Sequence, residues 1–367
     1  MEKVSERQLY MIGTAYILNA TLISVPNQVL GMARMDAWFS YLAAGLLFVP
    51  VLWMLSRVLQ RFPGQDLFGA MIQGMPAAGR LMAGAFVGLY LFVLIRDLRM
   101  LTDFVSIVLL PLTPLTIIAA LIAVTLVLIA RGGVEVLGRM TELWLPALLI
   151  IIVLVPVFLF QDFDTRFLRP FFDEGLVRPL HGAWIIAPYI GEVLALPLIC
   201  PGGTYRFRTG LTALAMAMAA LQLINLYTVL SLGTLIPERL LFPTYEMVRQ
   251  IRATDFLDRF DLPLVGIYLP TMITKVAFSL YVVCHGLQRI LPKVEARKLA
   301  GPFGLVAFVG SFWLFDNTTQ LLSFNRFWPV LALPVQLLLP ALLFIILRKR
   351  SEGRRAEAAG GGGRARG

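Results

Sequence analysis

Ala187-Pro188-Tyr189-Ile190-Gly191-Glu192-Val193-Leu194-Ala195-Leu196-Pro197 places a carboxylate, a glycine and two prolines inside an apolar segment that runs from about Gly182 to Cys200. In hydrocarbon every freed backbone group must find a partner, so a broken helix is tolerated only where protein or a water-filled cavity surrounds it. The stretch therefore predicts an interrupted helix beside a cavity. Thr21-Leu22-Ile23-Ser24-Val25-Pro26, in the first apolar segment, can be laid on Glu192 to Pro197 with the proline in register. Two interrupted helices, each opening one half of a chain, form the pattern of a transporter-type binding site at membrane depth.

The rest of the chain supports a membrane setting. Of its 367 residues 58% are hydrophobic, against about 45 to 50% in soluble proteins. A spanning helix needs roughly 20 apolar residues, and ten segments qualify: 8–32, 37–60, 81–110, 114–131, 142–161, 182–200, 209–236, 263–290, 301–319 and 328–347. We expect an all-α polytopic membrane protein with one transmembrane domain over 1–347. A basic, glycine-rich tail follows over 348–367, a composition that stays disordered.

The net charge of +10 sits in short loops and in the tail, which is a topology signal rather than a nucleic-acid footprint. The side that bears both termini is the richer in lysine and arginine, so both termini are expected to be cytoplasmic. The polar start Met1 to Gln8 leads into the first apolar stretch with no small-residue cleavage site, so no cleavable signal peptide is expected. Cys200 and Cys284 both fall inside apolar segments and suggest no disulfide framework.

An odd number of crossings separates segments 1 and 6, so the halves 8–161 and 182–347 run in opposite senses: a 5+5 inverted repeat with interrupted helices 1 and 6. Two outer loops are substantial, 161–181 and 237–262. In the second, Tyr245, Val248 and Ile251 recur at helical spacing with Glu246, Arg249 and Arg252 between them, as in a helix lying at the membrane surface. Such a helix serves either as a cap over the helix ends or as a partner surface.

Glu192 is the first candidate for chemistry, because an intramembrane carboxylate is costly and needs a named partner. Its alternative role is to cap amides freed by Pro188 and Pro197. Tyr189, Ile190 and Gly191 join it as ligand-binding candidates, with glycine allowing close backbone approach and tyrosine a ring and a hydroxyl. In segment 1, Asn19, Thr21, Leu22 and Ser24 precede Pro26, which removes a backbone donor. There the choice lies between a ligand site on freed backbone and a plain proline kink with hydroxyls bonded to the preceding turn.

Lys275 lies mid-segment with Thr271 and Ser279 one turn away on either side. It can pair with Glu192, meet a ligand carboxylate, or stand where a coupling sodium ion would sit, and it is a candidate for proton coupling. Segment 3 carries Arg96, Asp97, Arg99 and Asp103. Arg96, Arg99 and Asp103 share one helix face and predict an internal ion network, with Asp97 pointing elsewhere. His181 and His285 have no ligand cluster near them in sequence, so no metal is expected. No phosphate loop or nucleophile elbow occurs, so neither an enzyme nor a cofactor is expected.

At these residues the chain resembles the B subunit of GerA-type spore germinant receptors, endospore germination permeases of the amino acid/polyamine/organocation transporter superfamily. The resemblance covers nearly everything from Arg7 to Arg348. It rests on Asp36-Ala37-Trp38, on Glu192-Val193 with Pro197, and on Pro243-Thr244-Tyr245-Glu246 followed by Phe256-Leu257-Asp258-Arg259. It implies a ten-helix LeuT/APC-like fold with a small-molecule pocket between interrupted helices 1 and 6, helix 3 and helix 8. It further implies a germinant, often an amino acid, and partner A and lipoprotein C subunits in the inner membrane of the spore. One departure is the presence of Asn19 and Thr21 where members of the family often carry glycines. The expected function is germinant binding and signalling; the alternative is a proton-coupled amino acid permease.

Overall fold

The computed structural model describes residues 5–169, 172–173, 175–200, 205–250 and 261–347. The outer-loop residues Ile251, Arg252 and Phe256 to Arg259, and the tail, lie outside them. Among the described residues the regular structure is helical throughout.

Helix α1 (Glu6–Ser24) starts at a capping box, in which the Ser5 hydroxyl accepts from Gln8 N and the Gln8 side chain accepts from Ser5 N. Those two bonds satisfy amides that a helix start leaves open. It stops at Val25 (φ −124°), and α2 (Pro26–Ala33) begins on the proline. A 3-10 turn, Arg34–Asp36, leads into α3 (Ala37–Leu59). Helix α4 (Leu67–Gly74) is capped by Asp66, and α5 (Pro76–Val108) begins on a proline. Then come α6 (Leu115–Arg131) and α7 (Gly133–Leu159).

Helix α8 (Val177–Ile190) tightens into a 3-10 turn, Gly191–Leu194, and resumes as α9 (Ala195–Ile199). After α10 (Phe207–Leu232) come the short α11 (Leu235–Arg239) and α12 (Pro243–Arg249), then the long α13 (Asp261–Ile290). Helices α14 (Ala296–Trp313) and α15 (Thr318–Phe324) meet at a bend of 98°. Finally α16 (Trp328–Leu333) passes into a π-helical turn, Pro334–Leu338, within a span that ends at Leu347.

Each of the ten apolar segments is largely helical, though 8–32, 182–200, 209–236 and 301–319 each take in more than one helical piece. Among the described residues seven helices are long and apolar enough to cross a membrane, eight if the bent α14–α15 pair counts as one span. Helix α6 is shorter, and the polar residues Glu6, Arg7, Gln8 and Asn19 dilute the apolar character of α1. The length test thus stops short of ten crossings.

Helix α13 lies at the centre, packed against α1, α5, α6, α7 and α14, while α8 packs on α2 and α3. The outward faces of α6, α7 and α14 carry exposed Leu121, Leu128, Ile150, Val157, Leu305 and Val309, as lipid contact requires. Helix α12 turns its apolar side onto the ends of its neighbours. Its Met247 and Val248 are buried against Ile151, Val155, Leu159 and Tyr227, so it caps the ends of α7 and α10. That apolar pair points inward because its hydrocarbon finds partners only there.

Candidate ligand-binding site

Four buried charges meet where α5, the 3-10 turn after α8, and α13 come together. Arg96 donates to Asp97 through Nε (2.8 Å) and Nη2 (2.6 Å), and to Glu192 Oε1 through Nη2 (2.6 Å). Lys275 donates to Asp97 Oδ2 and stands 2.8 Å from Glu192 Oε2. Arginine, aspartate, lysine and glutamate therefore form a closed ring of alternating sign with no net charge. Removing such ions from water costs several kcal/mol each, and each carboxylate here has two cations to offset that cost.

Aromatic rings wall the ring of charges. The Arg96 guanidinium lies 4.3 Å from the Tyr189 ring centroid and 5.1 Å from that of Trp328, and Lys275 Nζ lies 4.9 Å from that of Tyr16. Ring faces attract cations more strongly once water is gone. The hydroxyls face outward from this wall: Tyr189 donates to Asn325 Oδ1 (2.6 Å), and Tyr16 shares a hydrogen bond with Ser279 (2.6 Å). Among the described residues, Arg96 Nη1, Trp328 Nε1 and Gln336 Oε1 are buried without a hydrogen-bond partner.

The interruptions differ from the expectation of open backbone around a cavity. Pro188 and Pro197 tighten the helix into a 3-10 turn instead of parting it, and side chains occupy the backbone groups. Gln336 Nε2 donates to Pro188 O (2.8 Å), and the Tyr90 hydroxyl to Glu192 O (3.2 Å). Glu192 spends its carboxylate on Arg96 and Lys275 rather than on backbone amides. Gly191 is required here, since a Cβ at that position would collide with the Gln336 side chain and the Phe48 ring.

In α1 the break falls at Val25, so Asn19 and Thr21 sit in unbroken helix. Thr21 bonds back to Ile17 O (2.6 Å) and Asn19 to Ala15 O (2.7 Å). Asn19 also stitches α1 to α13: Thr271 lies 2.7 Å from its Oδ1, and the Tyr268 hydroxyl donates to its carbonyl (2.7 Å). Leu22 lines an apolar cavity beneath α12, Ile190 is buried, and the Ser24 side chain lies outside the described residues.

The expected α5 network divides in two. Asp97 belongs with Arg96 and Lys275, because the long guanidinium turns back to its neighbour. Arg99 pairs separately with Asp103 (2.9 Å) and donates to the carbonyls of Ser311, Phe315 and Asp316 at the α14–α15 bend. Sequence reasoning missed Tyr16, Trp328 and Gln336. Gln336 alone had a signal, an amide in an apolar segment two residues after a proline.

The helical architecture and the occluded polar centre define an integral membrane protein of transporter type. Its fold is shared by the solved structure of Mhp1, a nucleobase-cation-symport-1 family transporter in a closed conformation with bromovinylhydantoin bound. That likeness has a TM-score of 0.64 at 15% identity, over 93% of this chain and 77% of that one. Residues 3–320 match the family model described as spore germination protein. The chain belongs to that family, which is permease-like and not an enzyme family. Over 351 residues it is 29% identical to YfkT of Bacillus subtilis (strain 168), covering 96% of this chain and 98% of the relative. It is 26% identical to spore germination protein KB of the same organism over 380 residues, covering 98% and 100%.

Proposed function

We propose that the chain is the B subunit of a spore germinant receptor. It binds a small polar germinant, an amino acid before other classes, at the charge ring between α1, α5, the 3-10 turn and α13. It signals with an A subunit and a lipoprotein C subunit in the inner membrane of the spore, with both termini cytoplasmic. The observation that carries this reading is the balanced ring with donor capacity left at Arg96 Nη1.

A ligand bearing equal and opposite charges enters such a ring by exchange of partners. Its carboxylate takes Arg96 or Lys275 and its ammonium takes Asp97 or Glu192, so every buried charge keeps a counter-ion. A ligand with net charge leaves one ion unpaired at membrane depth, which is costly. Exchange at Glu192 loosens the hold of α5 and α13 on the 3-10 turn, and partner subunits read the shifted population.

The test uses spores whose only copy carries Glu192→Gln, scored against wild type for response to a panel of amino acids. In parallel, purified protein is tested for ligand-dependent thermal stabilisation, which selective binding to the folded state must produce. An unchanged dose response in the variant removes Glu192 from the site. A second reading, a proton-coupled amino acid permease, is favoured by the transporter fold of the solved neighbour. Labelled amino acid flux into proteoliposomes under a pH gradient would assign it, whereas binding without flux leaves the receptor reading.

A further inference from the structure

Far from the charge ring, two arginines stand where α3 ends. Arg57 belongs to its last turn and Arg61 to the turn that follows, and each guanidinium lies over an aromatic ring. Arg57 is 5.5 Å from the Trp53 centroid and Arg61 is 5.6 Å from that of Phe344 in the last span. The two rings are themselves 5.6 Å apart, so one aromatic ledge, built from both spans, carries both charges. Among the described residues neither arginine is paired with a carboxylate, and Arg61 Nη1 is buried without a hydrogen-bond partner. The next acid along the chain, Asp66, is committed to His285 and Arg289. A cation that has shed water and gained no counter-ion is costly until an anion arrives.

The ledge lies at headgroup level, because the span that includes α3 stops at Leu59 and the last span stops at Leu347. Along α3, Leu46, Pro50 and Trp53 recur at helical spacing up to Arg57, and all four are exposed. Leu338, Leu342 and Ile345 of the last span are exposed as well. An apolar stripe that ends in unpaired guanidiniums matches a molecule with a hydrocarbon chain and an anionic head. An acidic protein segment would use the charges and leave the stripe unexplained, whereas a lipid uses both.

We propose that this corner is a binding site for an anionic phospholipid, with its phosphate between Arg57 and Arg61 and an acyl chain along the Trp53 stripe. Guanidinium groups hold phosphate oxygens through short, charge-assisted bonds. A headgroup with net negative charge is preferred, since a zwitterionic one brings its own ammonium to a site already rich in cations. Bound there, the lipid fastens the last span to α3.

The experiment titrates the purified full chain in detergent with phosphatidylglycerol or phosphatidylcholine of matched chains and counts bound lipids by native mass spectrometry. Wild type should bind phosphatidylglycerol at least about tenfold more tightly. Arg57→Gln combined with Arg61→Gln should abolish that preference, while Arg80→Gln, which removes an exposed arginine at the start of α5, should leave it intact. A preference that survives the double variant, or falls equally in Arg80→Gln, reflects diffuse surface charge and overturns the proposal. Displacement of the lipid by an equal concentration of inorganic phosphate would show a plain anion site and overturn it too. Should the double variant not fold, quenching of tryptophan fluorescence by brominated lipids decides. Stronger quenching by phosphatidylglycerol than by phosphatidylcholine, present in wild type and absent in Trp53→Phe, supports the site; equal quenching by the two lipids in wild type overturns it.

Discussion

The ammonium of Lys275 on α13 stands 2.8 Å from the carboxylate of Glu192 on the 3-10 turn, and both side chains are fully buried. This contact closes the ring that Arg96 and Asp97 begin on α5, so three separate helical segments share one balanced set of charges. Each member is held by ions of opposite sign on both sides. The ring therefore behaves as a unit: its parts are costly alone and inexpensive together.

Glu192→Gln leaves Arg96 and Lys275 facing a single carboxylate. Breaking one buried pair costs about 3 to 5 kcal/mol, and we expect a loss of that order in the stability of the purified protein. Lys275→Met alone should cost a similar amount by stranding a carboxylate. The double variant restores balance with Arg96 and Asp97 remaining, so its loss should fall well short of the sum of the singles. A double-mutant cycle measured by thermal melts checks this; additive losses would mean that the two charges do not interact.

Gln336 is expected to hold the 3-10 turn in place. Gln336→Leu strips the Pro188 carbonyl of its donor, and an unsatisfied buried acceptor costs about 1 to 3 kcal/mol. Gly191→Ala forces a methyl group against Gln336 and Phe48, with overpacking worth about 1 to 3 kcal/mol. Combining the two should relieve part of the clash, because leucine carries no amide to meet the new methyl. Melting temperatures of the single and double variants would decide it, and a double variant worse than the sum of the singles would refute the shared contact.

The sequence made the helical regions legible because hydrophobic length is a property of the chain itself, and each apolar segment is built of helix, in some cases broken into pieces. Glu192, Lys275 and Arg96 were legible for a related reason: a charge in such a segment must be paired. Pairing itself was less legible. Helical spacing treats side chains as points on a cylinder and so separated Asp97 from Arg96, whereas a guanidinium on a flexible stem reaches the adjacent residue. Tyr189 was legible beside Glu192, whereas Tyr16 and Trp328 of the wall gave no signal, since aromatic residues are ordinary in membrane helices. Pro26 marked the break in α1 to within a residue, but Asn19 and Thr21 before it bond back to their own turn and Asn19 also reaches Thr271 of α13, which spacing alone could not show.

Arg99 gathers the loose end of α14. Its guanidinium reaches Phe315 O (2.5 Å), Asp316 O (2.9 Å) and Ser311 O (3.2 Å), while Asp103 binds both Arg99 and the Thr318 hydroxyl (2.9 Å). A helix end bent by 98° leaves carbonyls that need donors, and Arg99 supplies them. Arg99→Met should therefore raise amide hydrogen exchange across Ser311 to Thr318 by about tenfold or more, with little change in α13. Unaltered exchange at the bend would show that the arginine is not what holds it.

Asp66 predicts a pH dependence of stability. The carboxylate caps α4 through Gly69 N (2.7 Å) and meets His285 Nε2 (2.8 Å) and Arg289 Nη2 (2.6 Å) at the end of α13. Burial pushes its carboxyl up, but the bond and charge of His285, the charge of Arg289 and the Gly69 amide outweigh burial and hold it below the usual carboxylate value. A lowered folded-state pKa contributes stability that is complete above the unfolded value of about 3.9 and is lost as pH falls through the lowered one. Melts of the wild type should therefore lose this contribution only below about pH 4. Asp66→Asn keeps a capping oxygen but loses the charge, so it should cost about 2 kcal/mol near neutral pH and flatten the acid limb. Equal acid limbs in the two proteins would place the titrating group elsewhere, and equal stability at neutral pH would mean that α4 is fastened to α13 by packing rather than by this carboxylate.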